Sequence, residues 1–526
     1  MKKKLSYQLI IFLVMPFILS WPAWFNGQPF LFPDTTAYIK GAASAFNLVW
    51  KTNEAADWLA PKSIPITVPN APSTAPVTTP AAPQFSSSPD KSGVIAGRSI
   101  YYGFFVFATA ALFGLKFVPL LQALLSTILI TSILRVRFLI DYKIISIALF
   151  LLAIASPLPF FNSMLMPDVF AGLGIAAAIS LILMPNATSS CRIFWALLVL
   201  LAGLFHTGNI LIILATIVSL VVLSLLVDRR VAPKPTAVLL ALAMVAIGIG
   251  GEALFSYSVK HFTNSPPIRP PFMTARLLAD GPGNDFVKNY CANKEFEVCN
   301  YSRDFSKATS DDFLWSLNPA IGVFTLAPKS ARIQLGVQDF SFAKAVFLHY
   351  PVDVIKNTFK NVAEQIGYIG LEEYIYTPVE VRSFGQKIPA GEQNTLEATR
   401  AAKGQFDVTL SEIIIKLVSI GALLICLTAL VHNFKRKNWS NFTWIMIFLL
   451  SILINAGVCG ALSTPHDRYQ ARIIWILELM AFVIVAVRWN VISLANLRQP
   501  SGAAVGRSLT ASAAAGATLL NTSEHE

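Results

Sequence analysis

Four short stretches of this chain place ionisable groups where apolar sequence begins or ends. Asp34 lies in FLFPDTTAYIKGA, just after the first apolar run. Asp168 follows Pro167 in SMLMPDVFAGL, and His206 lies in FHTGN between two apolar runs. STPHDRYQAR contributes His466, Asp467, Arg468, Tyr469 and Arg472 at the start of the last apolar run. A carboxylate can deprotonate a hydroxyl, and arginine binds phosphate as a planar fork. Acids, histidines and arginines drawn from separate helix ends into one cleft would suit a phosphate-linked substrate. Each stretch also has a purely structural reading. Pro167 and Asp168 fit a helix start, where an acid favours the positive end of the helix dipole. Asp34 and Asp467 fit N-caps, and His206 fits a solvated turn. The chain has no P-loop and no nucleophile elbow. No cofactor is indicated; a divalent metal is compatible with the acids, but no motif supports one.

The elements that must position these groups are membrane helices. The chain has 526 residues, is 55% hydrophobic and 13% charged, and has a mean hydropathy of +0.59. A soluble domain carries roughly twice that share of charge. Apolar runs recur near 7–25, 115–135, 143–157, 168–185, 193–206, 209–228, 236–256, 411–432, 441–461 and 470–488. They predict an all-α polytopic membrane protein with about ten transmembrane helices, since about twenty apolar residues cross a bilayer core. The net charge of +12 is not a nucleic-acid signal, because the basic residues gather at helix ends, where they set orientation. The inside segments collect Lys2, Lys3 and Lys4; Arg135, Arg137 and Lys143; Arg192; Arg229, Arg230 and Lys234; Lys435, Arg436 and Lys437; and Arg488, Arg498 and Arg507. The short outside turns at 158–167 and 207–208 hold neither Lys nor Arg. This pattern predicts a bacterial inner-membrane protein with both termini in the cytoplasm. The basic start and first apolar run resemble a signal peptide, but no small-residue cleavage site follows, so the first helix is read as uncleaved.

The domains follow from that map. Residues 1–256 form an N-terminal transmembrane module of seven helices. Its first outside loop, 26–114, holds a Pro/Ser/Thr/Ala-rich disordered linker at 64–93. The flanks of that loop predict a surface helix from Asp34 to Trp50 and, at 97–114, a helix lying along or partly inside the membrane. Residues 257–410 predict a periplasmic α-rich domain between helices seven and eight, with soluble-looking helical patterns near 271–280, 341–366 and 394–402. Residues 411–490 hold helices eight to ten, and 491–526 a disordered cytoplasmic tail. Cys291 and Cys299, in CANKEFEVC, predict a disulfide in an oxidising compartment. Glu252 and Glu478 are the clearest acids within helix interiors.

The order of these parts resembles the GT-C class of polytopic membrane glycosyltransferases over most of residues 1–490. Asp34 in FPDTTAY occupies the place of that class's first-loop aspartate. GRSIYYGFFVFATAALFG resembles its R-x-x-x-Y segment, through Arg98 and Tyr102. MPDVFAGL resembles the acidic start of a later helix, and HDRYQAR the R-Y segment of a late one. The resemblance implies a polyprenyl-phosphate sugar donor, an envelope glycan, lipid or protein acceptor, and hexosyl or pentosyl transfer at the outer face with anomeric inversion. It implies Asp34 as base, with Asp168 or His466 orienting it. Arg98, Arg468 or Arg472 would hold the phosphate, and Tyr102, His206, Asp467 and Tyr469 would line the substrate site. Two features depart from the class. Asp34 has no adjacent acidic partner, which leaves metal use open, and the large soluble part precedes helix eight, which leaves the acceptor open. Two rival functions remain: a lipid or solute transporter or flippase, which would need a polar path through the bilayer, and a non-catalytic envelope assembly or sensor protein.

Overall fold

The computed structural model describes residues 7–59, 93–227, 232–293, 295–301, 305 and 308–488. The expected linker at 64–93, apart from Gly93, and the expected tail lie outside the described residues. Helices account for the regular structure, and the only β pairing among the described residues is two isolated bridges. Among the described residues, six helices are long and apolar enough to cross a membrane: α5 (Phe117–Phe138), α9 (Thr207–Val227), α10 (Pro235–Thr263), α15 (Thr409–Lys435), α16 (Trp439–Leu462) and α17 (Asp467–Arg488). Five further apolar helices are shorter: α1 (Tyr7–Ile18), α4 (Ile100–Phe113), α6 (Tyr142–Ala155), α7 (Val169–Leu183) and α8 (Ser189–Phe205). The chain is an all-helical, multi-pass membrane protein.

Two boundaries differ from the sequence reading, each for a local reason. The helix expected over 7–25 is broken. It contains a π turn at Ile10–Val14, ends at Ile18 and restarts as α2 (Trp21–Asn26). Pro22 cannot donate to the preceding turn, and the Ser20 hydroxyl donates to the Pro16 carbonyl across the break. The pattern expected over 341–366 is two helices, α13 (Lys329–His349) and α14 (Pro351–Gly367), divided where Pro351 bars continuation. The helix expected at 97–114, lying along or partly inside the membrane, is present as α4, whose 14 residues extend about 21 Å. It packs against α3 (Thr35–Trp50), so closely that a Cβ at Gly103 would lie 2.2 Å from the Tyr38 carbonyl oxygen.

Two apolar cores result. The larger runs through the membrane helices and is centred on α7, almost every residue of which is buried. The smaller lies in the loop between α10 and α15, where Phe286, Phe305, Phe313, Phe324 and Phe342 pack beneath α11 (Phe272–Asp280), α12 (Ser310–Trp315) and α13. Cys291 and Cys299 are joined as a disulfide at its edge, with Cα atoms 5.4 Å apart.

Candidate functional site

The segment carrying Asp34 is fixed before its side chain is considered. Phe30 N donates to the Ser163 carbonyl and Leu165 N to the Phe30 carbonyl, each at 2.9 Å. The Thr35 hydroxyl donates to the Leu165 carbonyl and accepts from Phe32 N. The first loop is thereby stitched to the strand-like segment that leads into α7, which brings Asp34 towards Asp168.

Both aspartates occupy N-cap positions, and neither side chain caps its helix. An N-cap acid normally spends its oxygens on the first free backbone N–H groups. Here they go to arginines from distant segments. Asp34 Oδ1 accepts from Arg98 Nε at 3.0 Å and Arg98 Nη2 at 2.5 Å. Asp168 Oδ1 accepts from Arg472 Nη1 at 3.1 Å. Arg98 stands one residue before the cap of α4, where Ser99 accepts from the Tyr101 and Tyr102 amides and donates to the Leu204 carbonyl. Arg472 is held on its other side by Asn455 Oδ1 at 3.3 Å and Cys459 Sγ at 3.5 Å. The approach of α17 to α7 requires Gly172, since a Cβ there would lie 2.6 Å from Trp475 Nε1.

Arg468 lies beside Asp168 and against Phe32, two residues before Asp34. Its guanidinium carbon lies 4.3 Å from the Phe32 ring centre and 5.0 Å from that of Tyr469. It lies within Coulombic range of Asp168, and Tyr38 lies within range of Asp34, Arg98, Asp168 and Arg468. Arg468 Nη1 is buried and has no hydrogen-bond partner. His206 faces the same group, with Arg472, Asp168, Arg468 and Asp34 around it. Desolvation and then the Arg472 charge hold its imidazole down to about 4, so the ring is neutral at pH 7 and its Nδ1 accepts from Gly208 N.

The remaining expected site residues are arranged around this centre or away from it. Tyr102 is fully buried and donates to Gln122 Oε1 at 3.0 Å. Tyr469 lies beneath the guanidinium groups of Arg468 and Arg472. His466 turns to the loop, with Nε2 2.9 Å from Asp311 Oδ2. Asp467 does not join the arginines, because its carboxylate packs on the Gly370 backbone near Glu372, Glu412 and Lys416. Among the described residues, no group of three His, Cys, Asp or Glu side chains is placed to hold a metal ion.

Several residues at the site carried no sequence signal. Trp315 lies under Arg98, with 4.9 Å between the guanidinium carbon and the ring centre. Ser310 and Thr464 share a hydroxyl contact. Helix α12 therefore touches the site through Ser310, Asp311 and Trp315. Glu373 lies within range of Arg468, Asp168 and His466, and its Oε2 is buried without a partner. Burial raises the Glu373 carboxyl above its ordinary range, with Arg468 opposing the rise. These contacts join segments far apart in the chain, and only the tertiary fold brings them together.

No protein family, characterised protein or solved structure matches this chain. The chemistry of the site is therefore read from its own geometry. Two acids, three arginines and a neutral imidazole from five segments meet at one end of the bundle. Two arginine nitrogens of the site, Arg468 Nη1 and Arg472 Nε, stand buried and unpaired, an arrangement suited to an anionic group. Of the two acids, Asp34 is the more open, with 25% of its side chain exposed against 4% for Asp168.

Proposed function

We propose that this chain is a membrane glycosyltransferase that moves a sugar from a polyprenyl-phosphate donor to an envelope acceptor. The observation that carries the reading is the diversion of two N-cap aspartates from capping to arginines, beside Arg468 with its buried, unpaired Nη1. A phosphate would satisfy that nitrogen and compete with Asp34 for Arg98. At rest Arg98 occupies Asp34 Oδ1; donor binding, by drawing Arg98 to the phosphate, would free the carboxylate. Asp34 would then take the proton from the acceptor hydroxyl while that oxygen bonds to the anomeric carbon. The carbon–oxygen bond to the phosphate breaks, and the lipid phosphate leaves with its charge held by Arg98 and Arg468. Asp168 and Arg472 would hold the frame, with Glu373 and the His466–Asp311 pair on the acceptor side. Donor geometry and inversion rest on the resemblance to the GT-C class.

The reading includes a topology. The six long and five shorter apolar helices would supply about ten crossings, with α4 lying along the membrane. The basic turns would be cytoplasmic, and the site and both long loops periplasmic. Reporter fusions after Arg137, Arg230 and Lys437 should read cytoplasmic, and one at Asn300 periplasmic; a cytoplasmic signal at Asn300 removes the topology.

The function is tested with the full chain in nanodiscs, given polyprenyl-phosphate hexoses and pentoses and an envelope extract as acceptor. Release of polyprenyl phosphate by the wild-type protein, lost in Asp34→Asn, is the expected result. Failure of the wild-type chain to bind or turn over any such donor, or equal release by Asp34→Asn, overturns it.

A further inference from the structure

Helix α14 is built with its faces reversed relative to a helix of a water-soluble domain. An amphipathic helix in water buries its apolar stripe and exposes its polar one. In α14 the buried positions are polar: Asn361 is 4% exposed and Gln365 0%. Asn361 Nδ2 donates to Asp280 Oδ2 at 2.9 Å, and Asn357 Nδ2 to the Asp280 carbonyl at 3.0 Å. Gln365 makes two bonds to His466, donating to its carbonyl and accepting from its amide. The outward stripe is Val352, Ile355, Phe359 and Ile366, exposed by 73%, 47%, 72% and 41%. The spacing of these four residues puts them on one side of the helix. Phe347 and Leu348, also exposed, continue the stripe onto the end of α13.

We infer that the outer stripe of α14 is immersed in the hydrocarbon of one bilayer leaflet, so that this helix belongs to the membrane rather than to a water-exposed loop domain. Three observations select lipid as the occupant. First, α14 lies directly on the spanning helix α16, so closely that a Cβ at Gly460 would be 2.9 Å from the Asn361 carbonyl oxygen. The helix is thereby fixed at the end of a membrane span. Second, its three amides, Asn357, Asn361 and Gln365, are satisfied inward, as a face turned from hydrocarbon requires, while its charged side chains lie on one flank of the stripe. Third, Lys356 and Lys360 border the stripe on one side, where long basic side chains can reach the headgroup layer. The inference is independent of the transferase reading. It also gives α14 a role at the site, because Gln365 anchors the backbone just before Arg468 from a helix that lipid holds in place.

The test uses the full chain in native membranes with a benzophenone side chain incorporated at Phe359, followed by irradiation and mass measurement. The expected result is a shift of the protein by the mass of one phospholipid. A cross-link to a second copy of the chain instead of lipid, or a folded, membrane-inserted protein with no lipid adduct, overturns the inference. The same probe at Ile355 repeats the measurement should the first variant fail to accumulate. Phosphate-free detergent controls must show no such mass shift; its appearance there would mean that the adduct does not report the bilayer, and the inference falls.

Discussion

The two acid–arginine pairs share a chemistry and a helix position, and differ in burial. Asp168 and Arg472 are sealed, with side chains 4% and 2% exposed, whereas Asp34 and Arg98 retain 25% and 16%. Asp168 has Arg468 and His206 around it as well, and its arginine is held by Asn455 and Cys459. Arg98 keeps a small exposed edge and has an aromatic ring under it. A sealed pair cannot exchange partners without exposing a charge to an apolar interior. A partly open pair can give up one partner to an incoming ligand at small cost. The same two residue types are therefore suited to a brace in one place and, on the proposed reading, to a releasable clamp in the other.

The largest expected effect lies in the brace. Asp168→Ala should destabilise the protein by about 3–5 kcal/mol, the usual result of orphaning one member of a buried pair. Thermal unfolding in detergent reads this directly. Replacing both partners together, with Asp168→Leu and Arg472→Met, should recover most of the loss, because no charge is then stranded. A double variant as unstable as the single one would show that the pair is not the brace described. Asp34→Ala, by contrast, should cost no more than about 1 kcal/mol, as for a partly solvated pair.

The next effect belongs to the clamp. On the proposed transferase reading, Asp34→Asn keeps the shape and removes the base, and turnover should fall roughly 10²-fold or more with folding unchanged. Arg468→Ala should follow, through weaker donor binding. A charge-assisted hydrogen bond contributes about 1.5–3 kcal/mol, so the donor Kd should rise by about tenfold or more. Arg468→Lys should recover only part of this, because an ammonium lacks the guanidinium fork. An Arg468→Ala variant with wild-type donor affinity would remove this arginine from the phosphate site.

The sequence disclosed part of this comparison, and its gaps have physical causes. Apolar runs mark membrane helices because a bilayer demands length and composition together. Pro167–Asp168 and Pro33–Asp34 mark helix starts through local chemistry alone. The partners of the two acids were beyond local reading, since Arg98 is 64 residues from Asp34 and Arg472 is 304 from Asp168. Trp315, Asp311 and Glu373 enter the site from a loop whose packing no periodicity encodes. Helix α14 shows a different limit. Its stripe of Val352, Ile355, Phe359 and Ile366 is visible in the sequence, yet the pattern is the same whether an apolar face meets a core or lipid. Only the partners of Asn361 and Gln365 reveal which side faces inward.

The smallest expected effect sharpens the comparison most, because it separates the ring under Arg98 from the charge on it. Trp315 contacts Arg98 through its ring, with 4.9 Å between guanidinium carbon and ring centre. It ends α12, whose start is fixed by a capping box between Thr309 and Asp312. A partly exposed cation–π contact contributes about 0.5–1 kcal/mol. If the ring holds Arg98 where it can pass from Asp34 to a phosphate, Trp315→Leu should raise the donor KM roughly two- to fivefold, the equivalent of that energy. The chemical step would be untouched, so kcat should stay near its wild-type value, and Trp315→Phe should restore most of the affinity. The decisive arm is the same substitution in an Arg98→Ala background. There the ring has no cation to hold, and removing it should change KM no further. An undiminished effect in that background would mean that Trp315 acts through the packing of α12, and the clamp would lose its aromatic support while Asp34 and Arg98 kept theirs.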